Sequence, residues 1–437
     1  MTDRAPGTET ADVAIVGGGP AGASLALRLA RAGRHVMLFE QSPAYRWRAG
    51  GVFSSPATLA ELRAIGITDE ELARVARPIP RLWVAPAGGA EFALDYGHRS
   101  DGQPTAVGFD RSALDPLLLD RAAAAGADVR PGSRVVGIAT GHDGARLTVA
   151  RHGEATEVRA RLTVGADGIR SIVAGAVGAR RPPRLGSRVG LTWHVREAAP
   201  GLGDAGPGRG DAGPAPGRTV PDQTPGQAAV DARMIVLPGA YVGLAPVPCG
   251  RVNVGVVLWS RARREELARA GPATSMRRLL EELPTWPDGH GPRLAVERCD
   301  SFAGASPIAH RVRRRAGPGW LLVGDAAGFL DPFTGEGLHR ALVSSRLAGG
   351  AILGTLRGRG TSTADRYERA MRTSFATKDL VSRVVQLFLA RPLLFDYAAR
   401  RLGARPTVRD RMGLVMGDLA PARDALDPLF LAALLAP

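Results

Sequence analysis

Cysteine, lysine and aromatic residues are all scarce in this chain, and each scarcity removes a class of explanation. The two cysteines, Cys249 and Cys299, lie far apart in no CxxC or metal-ligand spacing. That excludes a disulfide scaffold and a structural zinc site, and no metal is expected. Lys378 is the only lysine, so the formal net charge of +15 rests on arginines scattered through almost every segment. With aromatics at 5% and few of them interleaved with the basic residues, no nucleic-acid-binding face is expected. No stretch reaches the roughly 18 consecutive apolar residues of a membrane-spanning helix. The polar start lacks the basic and apolar regions of a secretory signal. The expectation is a soluble cytoplasmic protein, of an oligomeric state that the sequence does not address.

What is present is an apolar content of 45% in 437 residues, enough for two domains with buried cores. The run "DVAIV" from Asp12, the breaker "GGGPAG", the helical "ASLALRLARAG" and the second apolar run "HVMLFE" together predict a βαβ unit at the start. Strand-then-Gly-Asp patterns recur at "RLTVGADGIRS" and "GWLLVGDAAGF". Between them, "VGLTWHVREA", "ARMIVLPGAYVGLAPVP" and "RVNVGVVLW" alternate with period two, as does the earlier "RLWVAPAGGAEFALDY". The fold class read from this is α/β: a single Rossmann-type domain (10–80, 97–183 and 299–355) interrupted by an antiparallel β-sheet substrate domain (81–96 and 184–298). A helical C-terminal tail occupies 356–437. The Gly- and Pro-dense run 200–227 reads as a flexible insertion.

Three motifs carry chemistry. Gly17-x-Gly19-x-x-Gly22, with Pro20 and Ala21 opening the helix, lets the backbone approach a pyrophosphate at a helix N-terminus. Glu40, closing the next strand, can accept hydrogen bonds from both hydroxyls of an adenosine ribose. The second motif is "GADGIRS", where Asp167 ends a strand. In the third, "GDAAGFLDPFTGEGLHRAL", Asp325 ends a strand and can bind polyol hydroxyls. A helix is expected to open there at about Gly335, with Gly337 and Leu338 in its first turn, its N–H groups facing an electron-rich carbonyl.

In this order and at these separations, the three motifs resemble the single-Rossmann FAD-dependent oxidoreductases of the para-hydroxybenzoate hydroxylase-like superfamily. The resemblance covers nearly the whole chain. It implies that Gly17, Gly19 and Gly22 hold the FAD pyrophosphate, Glu40 the adenosine ribose and Asp325 the ribityl chain. It implies further that Asp167 belongs to a motif serving both FAD and NAD(P)H, that Arg111 in "FDRSALDPLLLDRA" contacts FAD, and that the Val135 backbone in "SRVVGI" meets adenine. No second GxGxxG appears, so NAD(P)H would bind as a transient reductant. The densest basic run, Arg311 to Arg315, reads as a solvated loop, with an anion site for the nicotinamide cofactor's phosphate as the alternative.

Departures from the family pattern decide between chemistries. Hydroxylases of this superfamily resemble GDAAH at the third motif, whereas Gly328 stands in place of that histidine. "DPFTGEG" and "RWRAGGVFSS" are closer to geranylgeranyl reductases. Against that branch, its Cys-Gly-Gly cysteine position is Ala49 here. Its YxWxFP pocket motif aligns with "YVGLAP", where Gly243 and Ala245 replace two large rings. Halogenases resemble the fold but rely on a channel lysine and a GWxWxIP element, and neither is here. The sequence alone therefore favours an NAD(P)H-using monooxygenase that oxygenates an apolar or polycyclic small molecule through a flavin C4a-hydroperoxide. Reduction of isoprenoid double bonds is the alternative, with peripheral membrane contact permitted by the basic surface. The catalytic acid–base group is unassigned. His339 is the weak candidate, against a bland packing or capping role; Glu336 could contact solvent or cofactor, and Tyr241 and Trp193 could line the substrate side.

Overall fold

A computed structural model of the protein describes residues 9–86, 88–96, 105–182, 188–198, 230–286, 290–356 and 362–435; the insertion expected at 200–227 falls outside them. The first sheet is built on parallel strands. Glu9–Val16 pairs with Val36–Glu40 on one side and with Glu154–Gly165 on the other. Asp128–Pro131 and Trp320–Leu322 extend it in parallel on either side, and Ala316–Gly317 pairs antiparallel beyond Trp320–Leu322. The parallel strands are near-continuous apolar runs whose buried residues share one core with the helix Pro20–Arg31 and with Leu147 and Val149. Pro20–Arg31 lies against Gly337–Leu356, their contact including a Ser24 Oγ to Ser345 Oγ hydrogen bond of 2.9 Å. The antiparallel ribbon Arg134–Gly141 and Gly144–Arg151 leads into Glu154–Gly165.

The register brings the motifs together. Val16 pairs with both Phe39 and Gly165, and Gly165 pairs with Leu322. Gly17, Glu40, Asp167 and Asp325 therefore all follow the carboxyl ends of adjacent strands, where open α/β sheets bind ligands.

The second sheet runs in the order Leu294–Arg298, Val189–Glu197, Arg251–Leu258, Ala240–Val247, Ala232–Leu237, Arg81–Ala85, Phe92–Asp95. Most pairs are antiparallel, but Ala232–Leu237 runs parallel to Arg81–Ala85. Ala303–Ala305 also pairs with Val189–Glu197, so this sheet reaches past residue 298. Period-two alternation splits its side chains cleanly. Val242, Leu244, Val254, Trp193 and Val195 form a core with Met276 and Leu279 of the helix Arg261–Glu281. Tyr241, Ala245 and Val257 lie on the opposite face, in a core shared with the C-terminal helices.

After the helix Gly337–Leu356, the chain continues through Thr363–Leu389, Pro392–Ala404, Pro406–Met416 and Pro428–Leu435. Ser362 caps the first of these by accepting from Asp365 N, and prolines at the first helical positions open Pro392–Ala404 and Pro406–Met416. Among the described residues, no helix is long and apolar enough to cross a membrane.

Candidate functional site

The glycine turn is built for two separate demands. Gly17 has φ +106°, and a Cβ there would sit 2.5 Å from the Ala166 carbonyl oxygen. A Cβ on Gly22 would sit 2.0 Å from the Gly17 carbonyl oxygen. Both glycines are therefore required by the protein's own packing. Gly19 is different, because a Cβ there would meet nothing within 4 Å. Its smallness leaves open backbone at the N-terminus of Pro20–Arg31, which no side chain caps. That fits a phosphate group approaching the first-turn N–H groups of Ala21 and Gly22.

Glu40 is 7% exposed and already largely engaged. Its Oε2 accepts from Gly18 N at 2.8 Å, while Oε1 accepts from Ser42 N at 3.0 Å and Arg48 Nη2 at 2.6 Å. Burial pushes its pKa up, but the two backbone donors and the Arg48 guanidinium more than offset this and hold it below the usual range. A carboxylate has about four acceptor positions. Three are filled, which leaves room for one ribose hydroxyl rather than the two that its sequence position suggests.

Asp325 is half-buried and, among the described residues, its carboxylate makes no hydrogen bond to the protein, although its backbone carbonyl accepts from Gly328 N at 3.1 Å. Burial raises its pKa to about 6, against the attraction of Arg111 and Arg340. Arg111, at the start of the helix Arg111–Ala124, grips Asp115 through Nε (2.6 Å) and Nη2 (2.8 Å) and donates from Nη1 to Gly51 O at 2.9 Å. Asp167 caps the following turn by accepting from Ile172 N at 2.7 Å, leaving its buried Oδ1 without a partner; burial raises its pKa. Val135 is a buried strand residue, 4% exposed. Its backbone belongs to the ribbon that pairs with Gly144–Arg151.

The helix opens at Gly337, not at about Gly335. Gly335 instead closes the short turn Pro332–Thr334 in the left-handed region, φ +67°, with Phe53 packed so closely that a Cβ would lie 2.4 Å from its Cδ1. Gly335→Ala should therefore cost at least about 2 kcal/mol, read as a lower Tm together with weaker flavin retention. Gly51 lies against the helix start, its added Cβ falling 3.9 Å from Leu338 N. Leu338 itself is buried at 3%. The loop Arg48–Gly51 and the segment Asp331–Gly337 thus meet at the first turn of one helix.

Glu336 is 5% exposed, with Oε1 3.4 Å from Lys378 Nζ. Lys378 Nζ also donates to Asp418 Oδ1 (2.6 Å) and Val415 O (2.9 Å). His339, the acid–base candidate, joins this group, with Nδ1 3.8 Å from Asp418 Oδ2 and its pKa lowered by burial. These side chains line a cleft of ≈ 390 Å³ against the C-terminal helices. The lone lysine is thus tied into a buried ionic cluster.

The inward face of the second sheet has a floor of small residues. Gly243 pairs with Gly255, which pairs with Thr192; Ala245 pairs with Asn253, which pairs with His194. Directly opposed residues share a face, so Gly243, Gly255 and Ala245 lie on the same side as Thr192, Asn253 and His194. Tyr241 shares that face, but its hydroxyl donates to Asp331 Oδ1 at 2.7 Å and its ring packs edge-on against Phe333 at 5.2 Å. Trp193 lies on the opposite face, packed against Phe302, because it neighbours His194 in a strand. It does not share the face that carries Tyr241 and Gly243.

Sequence reasoning missed two groups. Arg188 ion-pairs with Asp331 at 2.6 Å, their side chains 8% and 2% exposed, and also donates to Gln386 Oε1. His194 pairs with Asp300. No local spacing signals either one; strand alternation alone separates His194 from Trp193.

Residues 10–197 match the family model described as an FAD binding domain. Menaquinone reductase of Mycolicibacterium smegmatis is 29% identical over 418 residues, 95% of this chain and 93% of the relative. Menaquinone reductase of Mycobacterium tuberculosis is 30% identical over 345 residues, 78% of this chain and 76% of the relative. Digeranylgeranylglycerophospholipid reductase 2 of Methanopyrus kandleri is 29% identical over 387 residues, 83% and 84% of the two chains. Among solved structures, a flavoprotein/dehydrogenase from Cytophaga hutchinsonii superposes with a TM-score of 0.76 at 19% identity, covering 97% of this chain and 96% of that one. An open glycine turn, an unengaged half-buried aspartate at the same sheet edge, and relatives spanning most of the chain converge on one assignment: the protein belongs to the superfamily of FAD-dependent oxidoreductases.

Proposed function

We propose that the protein is an FAD-dependent reductase that saturates carbon–carbon double bonds of an isoprenoid-bearing lipid, using NAD(P)H as transient reductant. The observation that carries this reading is the meeting of Arg48–Gly51 with Asp331–Gly337 at the start of Gly337–Leu356, because these are the two segments whose wording resembles the reductases. Relatives named for menaquinone and for digeranylgeranylglycerophospholipid, both polyprenyl lipids, move the preference from oxygenation to reduction.

When bound, FAD accepts two electrons from a dihydronicotinamide and returns them as hydride. The glycine turn from Gly17 to Gly22 would hold its pyrophosphate, Glu40 an adenosine hydroxyl and Asp325 the ribityl hydroxyls. Arg111 would fix the Gly51 carbonyl beside the first helical turn. The N–H groups of Gly337 and Leu338 would stabilise negative charge on the ring. Gly243, Gly255 and Ala245 would present small side chains towards the substrate, beside Thr192, Asn253 and His194.

A second reading, oxygenation of a polycyclic substrate, is favoured by the same small-residue floor, which also admits a broader molecule. Oxygen uptake separates the two. Reduction of a prenylated quinone should proceed with no oxygen consumed per product, whereas one oxygen consumed per product would install the second reading.

Access for a membrane-borne substrate comes through the C-terminal helices. Leu393 and Leu429 are 86% and 82% exposed, and Leu380 and Leu387 are exposed one heptad apart on Thr363–Leu389. Inserting such leucines contributes roughly 2 kcal/mol each. Leu393→Glu with Leu429→Glu should weaken binding to anionic phospholipid vesicles at least tenfold in a flotation assay while leaving the flavin spectrum unchanged. Equal flotation of the variant would show that this face does not meet lipid. The cytoplasm is the proposed compartment.

A further inference from the structure

Saturating a double bond takes a hydride on one carbon and a proton on the other. Ala49, at the position where the reductases carry a cysteine, offers only a methyl group. The inward sheet face offers something else.

His194 is 2% exposed in the middle of Val189–Glu197. Asp300 holds it at two points: Oδ1 accepts from His194 N at 2.8 Å, and Oδ2 lies 2.6 Å from the ring Nδ1. A carboxylate accepts only from a protonated nitrogen, so Asp300 fixes the proton on Nδ1 and turns Nε2 away from itself. Nε2 is buried and has no hydrogen-bond partner among the described residues. That arrangement costs stability without a compensating contact. The ring lies on the floor described above, in register with Asn253 and Ala245. Among the described residues its one aromatic neighbour is Trp47, at 4.5 Å between centroids. Trp47 belongs to the loop that ends in Ala49-Gly50-Gly51, and its indole N–H reaches back to Thr192 O at 3.5 Å.

We infer that His194 is the proton donor of the reduction, with Asp300 as its positioning residue and Trp47 as the side chain covering it. The inference rests on the reductase reading. Hydride and its electron pair pass from reduced flavin, which is oxidised, to one carbon of the double bond. The doubly protonated ring of His194, paired with the Asp300 carboxylate, gives its Nε2 proton to the other carbon and is left as the neutral ring with its proton on Nδ1, which solvent reprotonates. Neither step needs a further reactant beyond the dihydronicotinamide that reduces the flavin.

The test uses the full-length holoprotein and menaquinone with four isoprene units, in detergent, under argon with dithionite as reductant. His194→Gln should lower the turnover number about 10²-fold, with flavin content and the equilibrium affinity for the quinone unchanged. His194→Ala should be restored at least in part by imidazole in the buffer, a response that a packing role would not give. Asp300→Asn should lower the turnover number about tenfold at unchanged KM, and provides a second handle if the histidine variants fold poorly. Wild-type turnover in His194→Gln, or indifference of His194→Ala to imidazole, would overturn the donor while leaving the reductase reading intact. No reduction of the prenyl chain by the wild-type protein would overturn that reading and the donor with it.

Discussion

Asp325→Ala should empty the protein of flavin. The Asp325 carboxylate is half-buried, has no hydrogen-bond partner among the described residues, and follows the carboxyl end of Trp320–Leu322 beside Gly17 and Asp167. Charge-assisted hydrogen bonds to sugar-like hydroxyls contribute roughly 1.5–3 kcal/mol each. Losing two of them weakens binding by at least about 10²-fold, enough to strip FAD during purification. Retention at normal affinity would mean that the third motif holds no cofactor.

The same residue gives a pH signature in the flavin-free protein. Burial lifts its pKa to about 6, above the roughly 3.9 of an unfolded aspartate. The folded state therefore binds the proton more tightly, and stability falls as pH rises through that interval. The contribution is present below about pH 4 and lost above about pH 6. Asp325→Asn removes the ionisation, so it should raise the Tm of flavin-free protein at neutral pH and lose that advantage towards pH 4, while still weakening FAD. A gain independent of pH would show that the carboxylate is not strained.

The second large effect concerns Asp331. It accepts from Arg188 Nη1 at 2.6 Å, from the Tyr241 hydroxyl at 2.7 Å and from Phe333 N at 3.0 Å, tying the third motif to the second sheet and, through Arg188 and Gln386, to the helix Thr363–Leu389. Burial, with the Asp331 charge beside it, pushes the Tyr241 hydroxyl well above its usual pKa and keeps it a donor. Asp331→Ala leaves the Arg188 charge, 8% exposed, without its carboxylate. Breaking a buried pair from one side costs about 3–5 kcal/mol, and denaturant unfolding should register it. Removing both charges with Arg188→Met and Asp331→Leu should recover most of the loss. A single variant within about 0.5 kcal/mol of wild type would place the pair in the solvent-exposed class.

The parts legible in the sequence are local ones. Gly17-x-Gly19-x-x-Gly22 could be read because a strand, a turn and a helix follow one another within a few residues, and Asp325 because a strand ends at it. The second sheet could be read from alternation, which also marks Gly243 and Ala245 as neighbours on one face. What stayed hidden is held by contacts between distant residues. His194 and Asp300 are 106 positions apart, Arg188 and Asp331 are 143, and Arg188 and Gln386 are 198. From its position in the sequence His339 is a weak acid–base candidate or a packing or capping residue at the start of the helix Gly337–Leu356. Its partner, Asp418, lies in the C-terminal region, and only the packing of that region against Gly337–Leu356 brings them together. Glu40 shows the intermediate case: its position was legible, but the Arg48 guanidinium that occupies one of its oxygens was not.

The central claim is reduction of a polyprenyl chain, and mass spectrometry of an anaerobic reaction tests it most directly. Holoprotein reduced with dithionite and mixed with menaquinone carrying four isoprene units under argon should yield a product two hydrogens heavier on the prenyl chain. Absence of that product under argon, with an oxygen-containing product appearing only when NAD(P)H and air are supplied, would contradict the account.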